Sequence, residues 1–432
     1  MNFVEVIAKK RDGRELNEDD VRAFVGGAAR GTLGDEQLAA LLMAICIRGA
    51  STRETTLLVE AMRDSGACWR LGDAYPEAVD KHSTGGVGDS VSLIFAPLVA
   101  ACGVPVTMMA GAGLGHTQGT LDKLASIQGF RAAGNREEAI ARIERCGVCF
   151  AAQSQEIAPA DRKLYALRDV TATVPSSALI VASIMSKKLA VGTKRLILDV
   201  KWGTGAFCKK LAEAEELAEA LVSVAASAGV MTSALVTDMN EPLGNCLGSA
   251  AEVRAAVEVL EGRGDRRLTE LTMALAGEAL VMAGRPADEA ATALRAAIEG
   301  GAARHKLDEL VLAHGGRPEF THLPRPSRTV TVTAPRAGVV RAVDGEALGW
   351  VAVSLGAGRR RQGDEVDPAA GLVVHARTGD RLLAGAPLAT LEIGARDVSL
   401  DPLLDRLTQA FELGDEAPQA RPLVVARFKG NL

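Results

Sequence analysis

Apolar and polar positions change their rhythm several times along the chain. Through the first 70 residues the apolar positions recur at helical spacing, and no strand alternation interrupts them. Asn17 is placed to cap a helix running to about Arg30, and Asp35 to cap the apolar segment QLAALLMAICI. Ser51-Thr52-Arg53-Glu54 is a capping-box pattern ahead of LLVEAMRDSG. After Pro76 the texture alternates. A glycine-rich loop (81–90) leads into a helix from Ser92 to Cys102, then the apolar run VPVTMMA and a second glycine-rich loop (111–119). A helix from about Thr120, another from Asn135 to Arg145 and a strand at 148–152 follow. Helices alternating with short apolar strands predict an α/β layer with a mainly parallel sheet.

Residues 159–190 read as helix again, in PADRKLYALRD and SSALIVASIMSKKLA. The strands RLILDVK (195–201) and MTSALVTDM (231–239) flank a Glu/Ala/Leu helix, and further helices fill 249–315. From Arg328 onward, RTVTVTAPRAGVVRAVD and GLVVHARTGDRLLAGAPLATLEI alternate and are punctuated by glycine, which predicts β structure before a last helix near 400–412. The fold class is therefore α/β plus all-α. A small discontinuous helical domain (1–70 and 158–192) pairs with a large α/β domain (76–155 and 195–325), and a β-rich C-terminal domain (328–432) follows. Two domains connected in that way enclose a cleft, a preferred place for ligands.

The chain has 432 residues, 48% hydrophobic and 24% charged, the balance of an ordinary globular protein. Its net charge is −5, and its longest cationic runs, Lys9-Lys10-Arg11 and Arg359-Arg360-Arg361, are too short for a polybasic arm. No nucleic-acid partner is expected. No window approaches the roughly 18 apolar residues of a membrane span, and MNFVEVIAKKRDGRELNEDD lacks the plan of a signal peptide. No membrane association and a cytoplasmic location are the expectations. Seven cysteines are too scattered for a disulfide framework. Cys146 and Cys149 form a C-x-x-C without a second pair, in an apolar setting that predicts buried structural thiols.

Three segments carry candidate chemistry. In Lys81-His82-Ser83-Thr84-Gly85-Gly86-Val87-Gly88-Asp89-Ser90, glycines free backbone N–H groups to converge on an anion. Lys81 adds charge, and Ser83 and Thr84 add hydroxyls. The lysine precedes the glycines, so this is neither a P-loop nor a dinucleotide fingerprint; a purely structural turn is the plain alternative. The second segment, 110–124, sends another glycine-rich loop into a helix that begins at Thr120. His116 in that loop reads as a structural hydrogen-bonder, since metal sites need clustered ligands. Third, Ser183 and Lys187 stand four apart on one helix face, with Arg168 one loop earlier. A guanidinium, a hydroxyl and an ammonium suit the carbonyl edges of a planar heterocycle; a solvated basic surface is the alternative. Together these describe an α/β enzyme that uses phosphate.

The segments DKHSTGGVGDSVSL, GLGHTQGTLDKLASIQGF, APADRKLYALRDVTATV, ASIMSKKLA, LDVKWGTGAF and LGAGRRR resemble, in order, those of the pyrimidine-nucleoside phosphorylase and thymidine phosphorylase family. The resemblance implies a homodimer that splits a pyrimidine nucleoside reversibly with inorganic phosphate, giving free base and a pentose 1-phosphate. It implies a phosphate site at Lys81, Ser83, Ser92 and Thr120. It implies a base site at Arg168, Ser183 and Lys187, with His82 reaching across the cleft. His82, Arg168 and Lys187 are then the expected catalytic groups. Met108 matches a position that is Met in thymidine-selective relatives and Lys in broader ones, which favours thymidine and deoxyuridine. No organic cofactor is implied. Some bacterial members hold a potassium ion, and Gly88, Ser90, Leu243 and Cys246 match four of its ligands. Ala255 stands where the family has a glutamate, and a methyl cannot ligate a cation.

Two further departures lie in the second loop. Ala110 and Ala112 replace the family's Ser and Arg, and Gln118 replaces a Gly, where it is expected to crowd the loop. Losing one donor to a charged ligand costs about 1.5–3 kcal/mol. A binding protein or a low-activity member of the same fold is thus the rival to the enzyme. A third reading is the related transferase family that acts on anthranilate, which ALRDVTATV and the β-rich end disfavour.

Overall fold

The structure, a computed structural model, describes residues 2–430 apart from 112, 114, 155 and 362. Ala112, one of the three altered positions, lies outside the described residues.

Four helices open the chain: α1 (Phe3–Arg11), α2 (Glu18–Arg30), α3 (Asp35–Arg48) and α4 (Thr52–Asp64). Asn17 and Ser51 cap α2 and α4 through capping boxes with Asp20 and Glu54. Asp35 does not cap α3. The cap falls on Gly34, and Asp35, as the first helical residue, instead pairs with Lys163 at 2.6 Å. The helices Pro159–Val170 and Ser177–Val191 return to this bundle and bury Leu164, Leu179 and Met185 among its apolar residues.

The central sheet contains β1 (Val79–Ser83), β2 (Val106–Ala110), β3 (Val148–Ala152), β4 (Arg195–Trp202) and β5 (Met231–Asp238), all parallel, in the order β5-β4-β1-β2-β3. From β1 the chain moves outward through β2 to β3, then returns to β4 on the other side. The order therefore reverses between β1 and β4, where ligands of open α/β sheets settle at the carboxyl ends of strands.

Side chains alternate across this sheet. Val79, Val106, Ile197 and Leu235 join a core with the helices Val91–Ala101, Ser249–Leu260 and Arg266–Met282. Leu196, Leu198, Val200 and Val236 face the helical bundle and the helix Leu211–Ser227. Covering both faces explains why the strands are almost wholly apolar.

The C-terminal region forms two small sheets with its own core, which includes Val340, Leu372, Leu388 and Leu391. Two features depart from the sequence reading. A helix, Gly345–Leu355, crosses this β-rich unit, capped by Asp344. The last strand, Val424–Gly430, leaves the unit and adds antiparallel to β5 at the edge of the central sheet. Among the described residues, no helix is long and apolar enough to cross a membrane. Seven cysteines are free thiols, and burial pushes Cys149 up to about 12, in keeping with a structural C-x-x-C.

Candidate active site

The pleat of β1 divides the candidate residues between two half-sites. Lys81 and Ser83 share one face with Val79, toward the helix Val91–Ala101. Asp80 and His82 point to the other face, toward the helical bundle.

On the first face lies a buried charge cluster. Lys81 is 1% exposed and donates to Ser92 Oγ at 3.3 Å, and its ammonium is 3.6 Å from Asp199. Lys201, two residues beyond Asp199 on β4, pairs with it at 2.8 Å and with Asp89 at 3.6 Å. Thr237 donates to the other Asp199 oxygen at 2.7 Å. Ser83 donates to Asp89 at 2.7 Å. Lys123 pairs with Glu252 at 2.6 Å and donates to the Asp89 carbonyl at 2.6 Å. Thr120, one helical turn before Lys123, opens the helix Thr120–Ala125 and so borders the same cluster.

The charges in this cluster are not equally satisfied. Burial opposes ionisation of Lys201, but Asp199 and Asp89 outweigh it and hold its pKa above the usual lysine value. Burial would raise the Asp89 carboxyl, yet Lys201, Lys81, Lys123 and the Ser83 hydroxyl hold it far below the carboxylate range. Burial lowers the Lys81 pKa, and Asp89 and Asp199 do not compensate fully. Lys81 is thus a buried cation short of negative partners, beside the hydroxyls of Ser83 and Ser92. A phosphate would complete its coordination.

On the second face, His82 is half-buried. Burial, then Lys188, Lys187 and Lys81, depress its pKa well below the ordinary histidine value. It sits within the field of lysines from both halves. Lys187 donates to Asp161 at 2.5 Å and to Ser183 Oγ at 2.9 Å, which places the i, i+4 pair in direct contact. Arg168 is buried over Tyr165 and donates to the carbonyls of Thr173 (3.4 Å), Leu179 (3.0 Å) and Val174 (2.7 Å). Three of the five guanidinium N–H groups therefore hold the turn between the two bundle helices and the start of the second. Lys188 crosses between halves, donating to Asp80 at 2.8 Å and to the carbonyls of Lys81 (3.4 Å) and Met109 (3.2 Å).

Met108 stands on β2 two residues after the Val79–Val106 pair, level with Lys81 on the neighbouring strand. Its side chain packs in the large core with Val106 and Phe150. Gln118 does not crowd its loop; its side-chain oxygen accepts the Gly248 N–H at 2.9 Å. His116 is buried beside Phe207 and Trp350.

Gly88, Ser90, Leu243 and Cys246 do come together, but their acceptors are engaged. The Gly88 carbonyl takes the Gly244 N–H at 3.1 Å, the Ser90 carbonyl takes the Leu93 N–H at 3.0 Å, and the Leu243 carbonyl takes Arg377 at 3.3 Å. Ser90 Oγ donates to Glu252, which already neutralises Lys123. Burial pushes the Cys246 thiol up to about 12, and Ala255 is a buried methyl. Position 255 offers a potassium ion no carboxylate, and the Glu252 beside Ser90 is already paired with Lys123, so the residues present fit such an ion poorly. Among the described residues no group of His, Cys, Asp and Glu could hold a metal.

Lys123, Lys201, Asp89, Asp199, Glu252, Asp161 and the pair Asp80–Lys188 were not singled out in the sequence. One signal was present. Asp199 and Lys201 stand two apart in a strand buried on both faces, where a charge must find a partner inside the protein.

A bundle beside a sheet, with a buried charge cluster at the strand switch, is the architecture of a class of enzymes that transfer glycosyl groups. Residues 4–66 match the helical bundle domain of the glycosyl transferase family and residues 75–304 its a/b domain. Residues 339–412 match the pyrimidine nucleoside phosphorylase C-terminal domain. The chain is 44% identical to thymidine phosphorylase of Burkholderia cenocepacia (strain HI2424) over 427 residues, covering 96% of this chain and 97% of that one. It is 41% identical to pyrimidine-nucleoside phosphorylase of Staphylococcus haemolyticus (strain JCSC1435) over 425 residues, with the same coverage. The solved structure of anthranilate phosphoribosyltransferase from Thermus thermophilus shares the fold at a TM-score of 0.58 and 19% identity, over 71% of this chain and 98% of that one. The chain belongs to the thymidine and pyrimidine-nucleoside phosphorylase family.

Proposed function

We propose that this protein catalyses reversible phosphorolysis of pyrimidine nucleosides, with thymidine and deoxyuridine as the favoured substrates. The observation that supports the reading is the division along β1: Lys81 and Ser83 face the buried charge cluster, while His82 faces the helical bundle that carries Arg168, Ser183 and Lys187. The identity to curated phosphorylases over nearly the whole chain supports catalysis over binding alone.

In this reading, phosphate is held by Lys81, Ser83, Ser92 and Thr120. The base lies against Arg168, Ser183 and Lys187. The C1′–N bond breaks with its electron pair passing to the base, and a phosphate oxygen forms the new bond to C1′. Lys187 and the Arg168 guanidinium stabilise the negative charge that grows on the base. His82, neutral at physiological pH, offers a ring N–H to a base oxygen. Holding both reactants in one cleft supplies proximity, and excluding water favours phosphate as the nucleophile.

The protein works as a homodimer in the cytoplasm. Met43 and Ile47 are exposed one turn apart on α3, beside exposed Tyr165 and Val170 on the neighbouring helix, an apolar row suited to a second copy. The free thiols accord with a reducing compartment.

The test mixes protein, thymidine and phosphate and follows thymine release, with uridine and cytidine in parallel. Phosphate-dependent thymine release is expected. Nucleoside binding by calorimetry without any turnover would instead establish the binding-protein reading.

A further inference from the structure

The glycine-rich loop is held from outside the sheet domain. Asp122 Oδ2 accepts the N–H groups of Gly113 (2.7 Å) and Gly119 (3.3 Å), gathering the two sides of the loop. Its other oxygen, Oδ1, accepts Arg359 Nη1 at 2.6 Å. Arg359 belongs to the β-rich C-terminal unit. Its own carbonyl accepts the Gly115 N–H at 3.2 Å, and its Nε donates to the Asp364 carbonyl at 3.0 Å. Behind the loop, Gly349 approaches so closely that a Cβ there would stand 2.4 Å from the His116 carbonyl oxygen. Gln118 adds its bond to Gly248.

A loop this rich in glycine has many conformations to lose, so its position must come from its attachments. Three of those attachments, from Gly113, Gly119 and Arg359, meet on Asp122, two residues after Thr120 in the same short helix. Neutral groups could not hold both loop N–H groups and a guanidinium on one carboxylate, and an ammonium lacks the planar fork that Arg359 divides between Asp122 and Asp364.

We infer that Arg359 is a positioning residue for phosphate. It does not touch the anion. It fixes Asp122, and through Asp122 the loop and Thr120, so the C-terminal unit sets the geometry of the phosphate half-site. This rests on the phosphorolysis reading.

The experiment uses the full chain with Arg359→Ala, Arg359→Lys, Asp122→Asn, the Arg359→Ala/Asp122→Asn double variant and Gly349→Ala. Steady-state rates are measured with phosphate varied at saturating thymidine, and with thymidine varied at saturating phosphate. Arg359→Ala and Asp122→Asn are expected to raise the phosphate KM about tenfold, the scale of one lost charged hydrogen bond, with the thymidine KM changed less than about twofold. The double variant should be no worse than either single one. Gly349→Ala should shift the phosphate KM in the same direction, and Arg359→Lys should recover only part of it. Arg361→Ala, an exposed neighbour, should leave both constants unchanged. Equal shifts in both KM values, additive single effects, or the same shift in Arg361→Ala would overturn the inference. If the unmutated chain shows no turnover, the phosphorolysis reading fails by itself. The rise of melting temperature with inorganic phosphate then decides the role of Arg359. A half-effect concentration about tenfold higher in Arg359→Ala supports it, and an unchanged one overturns it.

Discussion

Lys188 donates to Asp80 Oδ1 at 2.8 Å, and this buried bond fastens the helix that carries Ser183 and Lys187 to the strand that carries Lys81 and His82. The remaining Asp80 oxygen has no hydrogen-bond partner among the described residues, and burial raises the Asp80 pKa against the pull of Lys188. A buried acid in that position depends chiefly on the Lys188 ammonium, with a smaller contribution from Lys81.

Removing that ammonium is therefore expected to be costly. Lys188→Met leaves Asp80 buried and unpaired, a loss of about 3–5 kcal/mol. Thermal unfolding should show a clear drop in melting temperature. Replacing both partners, Lys188→Met with Asp80→Leu, should cost less than Lys188→Met alone. A double variant less stable than the single one would refute this account of the pair.

The loop that lost its serine offers a gain-of-function test. Ala110 ends β2 at the carboxyl edge of the sheet, partly exposed, on the strand beside the one that carries Lys81 and Ser83. Ala110→Ser should lower the phosphate KM by up to about tenfold, the scale of one added hydrogen bond to a charged ligand. Phosphate-varied kinetics check it, and an unchanged KM would mean that the loop already supplies that contact by other means.

Much of this arrangement was legible in the chain, and the exceptions have physical causes. Asn17 and Ser51 announced their helices because a capping box is a local device, complete within four residues. Asp35 misled because a carboxylate is equally welcome as a cap and in the first turn, where the helix dipole attracts it. The helix Gly345–Leu355 was missed although Asp344 caps it and Leu348, Val351, Ala352 and Leu355 share one buried face. Its glycines and valines resemble the β segments around it, and local propensity is a weak guide there. Lys81, Ser83, Arg168 and Lys187 stood out through their motifs. Their partners Asp199 and Asp161 did not, since a long-range ion pair leaves no spacing to read. Gln118 appeared as a misfit by size alone, because its acceptor role needs Gly248, which only the fold brings near.

The pH dependence of turnover follows from His82. Burial and the ammonium groups of Lys188, Lys187 and Lys81 keep its imidazole neutral at and above the ordinary histidine pKa. Protonation of His82 should therefore add no limb to the profile of kcat/KM between about pH 6 and 8. His82→Gln, which keeps an N–H donor, should retain more activity than His82→Phe. A wild-type limb near pH 6.5 that disappears in His82→Gln would contradict a neutral His82.

A separate histidine governs stability in acid. His314 is buried with its ring stacked on Phe130 at 4.8 Å; Nε2 accepts the Phe150 N–H at 3.1 Å, and Nδ1 bonds the Leu310 carbonyl at 2.8 Å. That pattern requires neutral imidazole, with Nδ1 carrying the proton. Burial, which outweighs the two backbone bonds, lowers its pKa to about 4. In the unfolded chain a histidine titrates near 6.5. Between those values the unfolded state binds a proton that the folded state refuses, so stability declines as pH falls from about 6.5 to 4. The stabilisation is complete above the upper value and spent below the lower one, with a span on the order of 3 kcal/mol. His314→Phe keeps the stacking but loses the acceptor, so it should be less stable than wild type at pH 7.5. It should also lack this share of the acid dependence, so the stability gap between the two proteins narrows toward pH 4.5. Urea unfolding at both pH values measures the gap, and a gap that stays constant would show that His314 does not carry the effect.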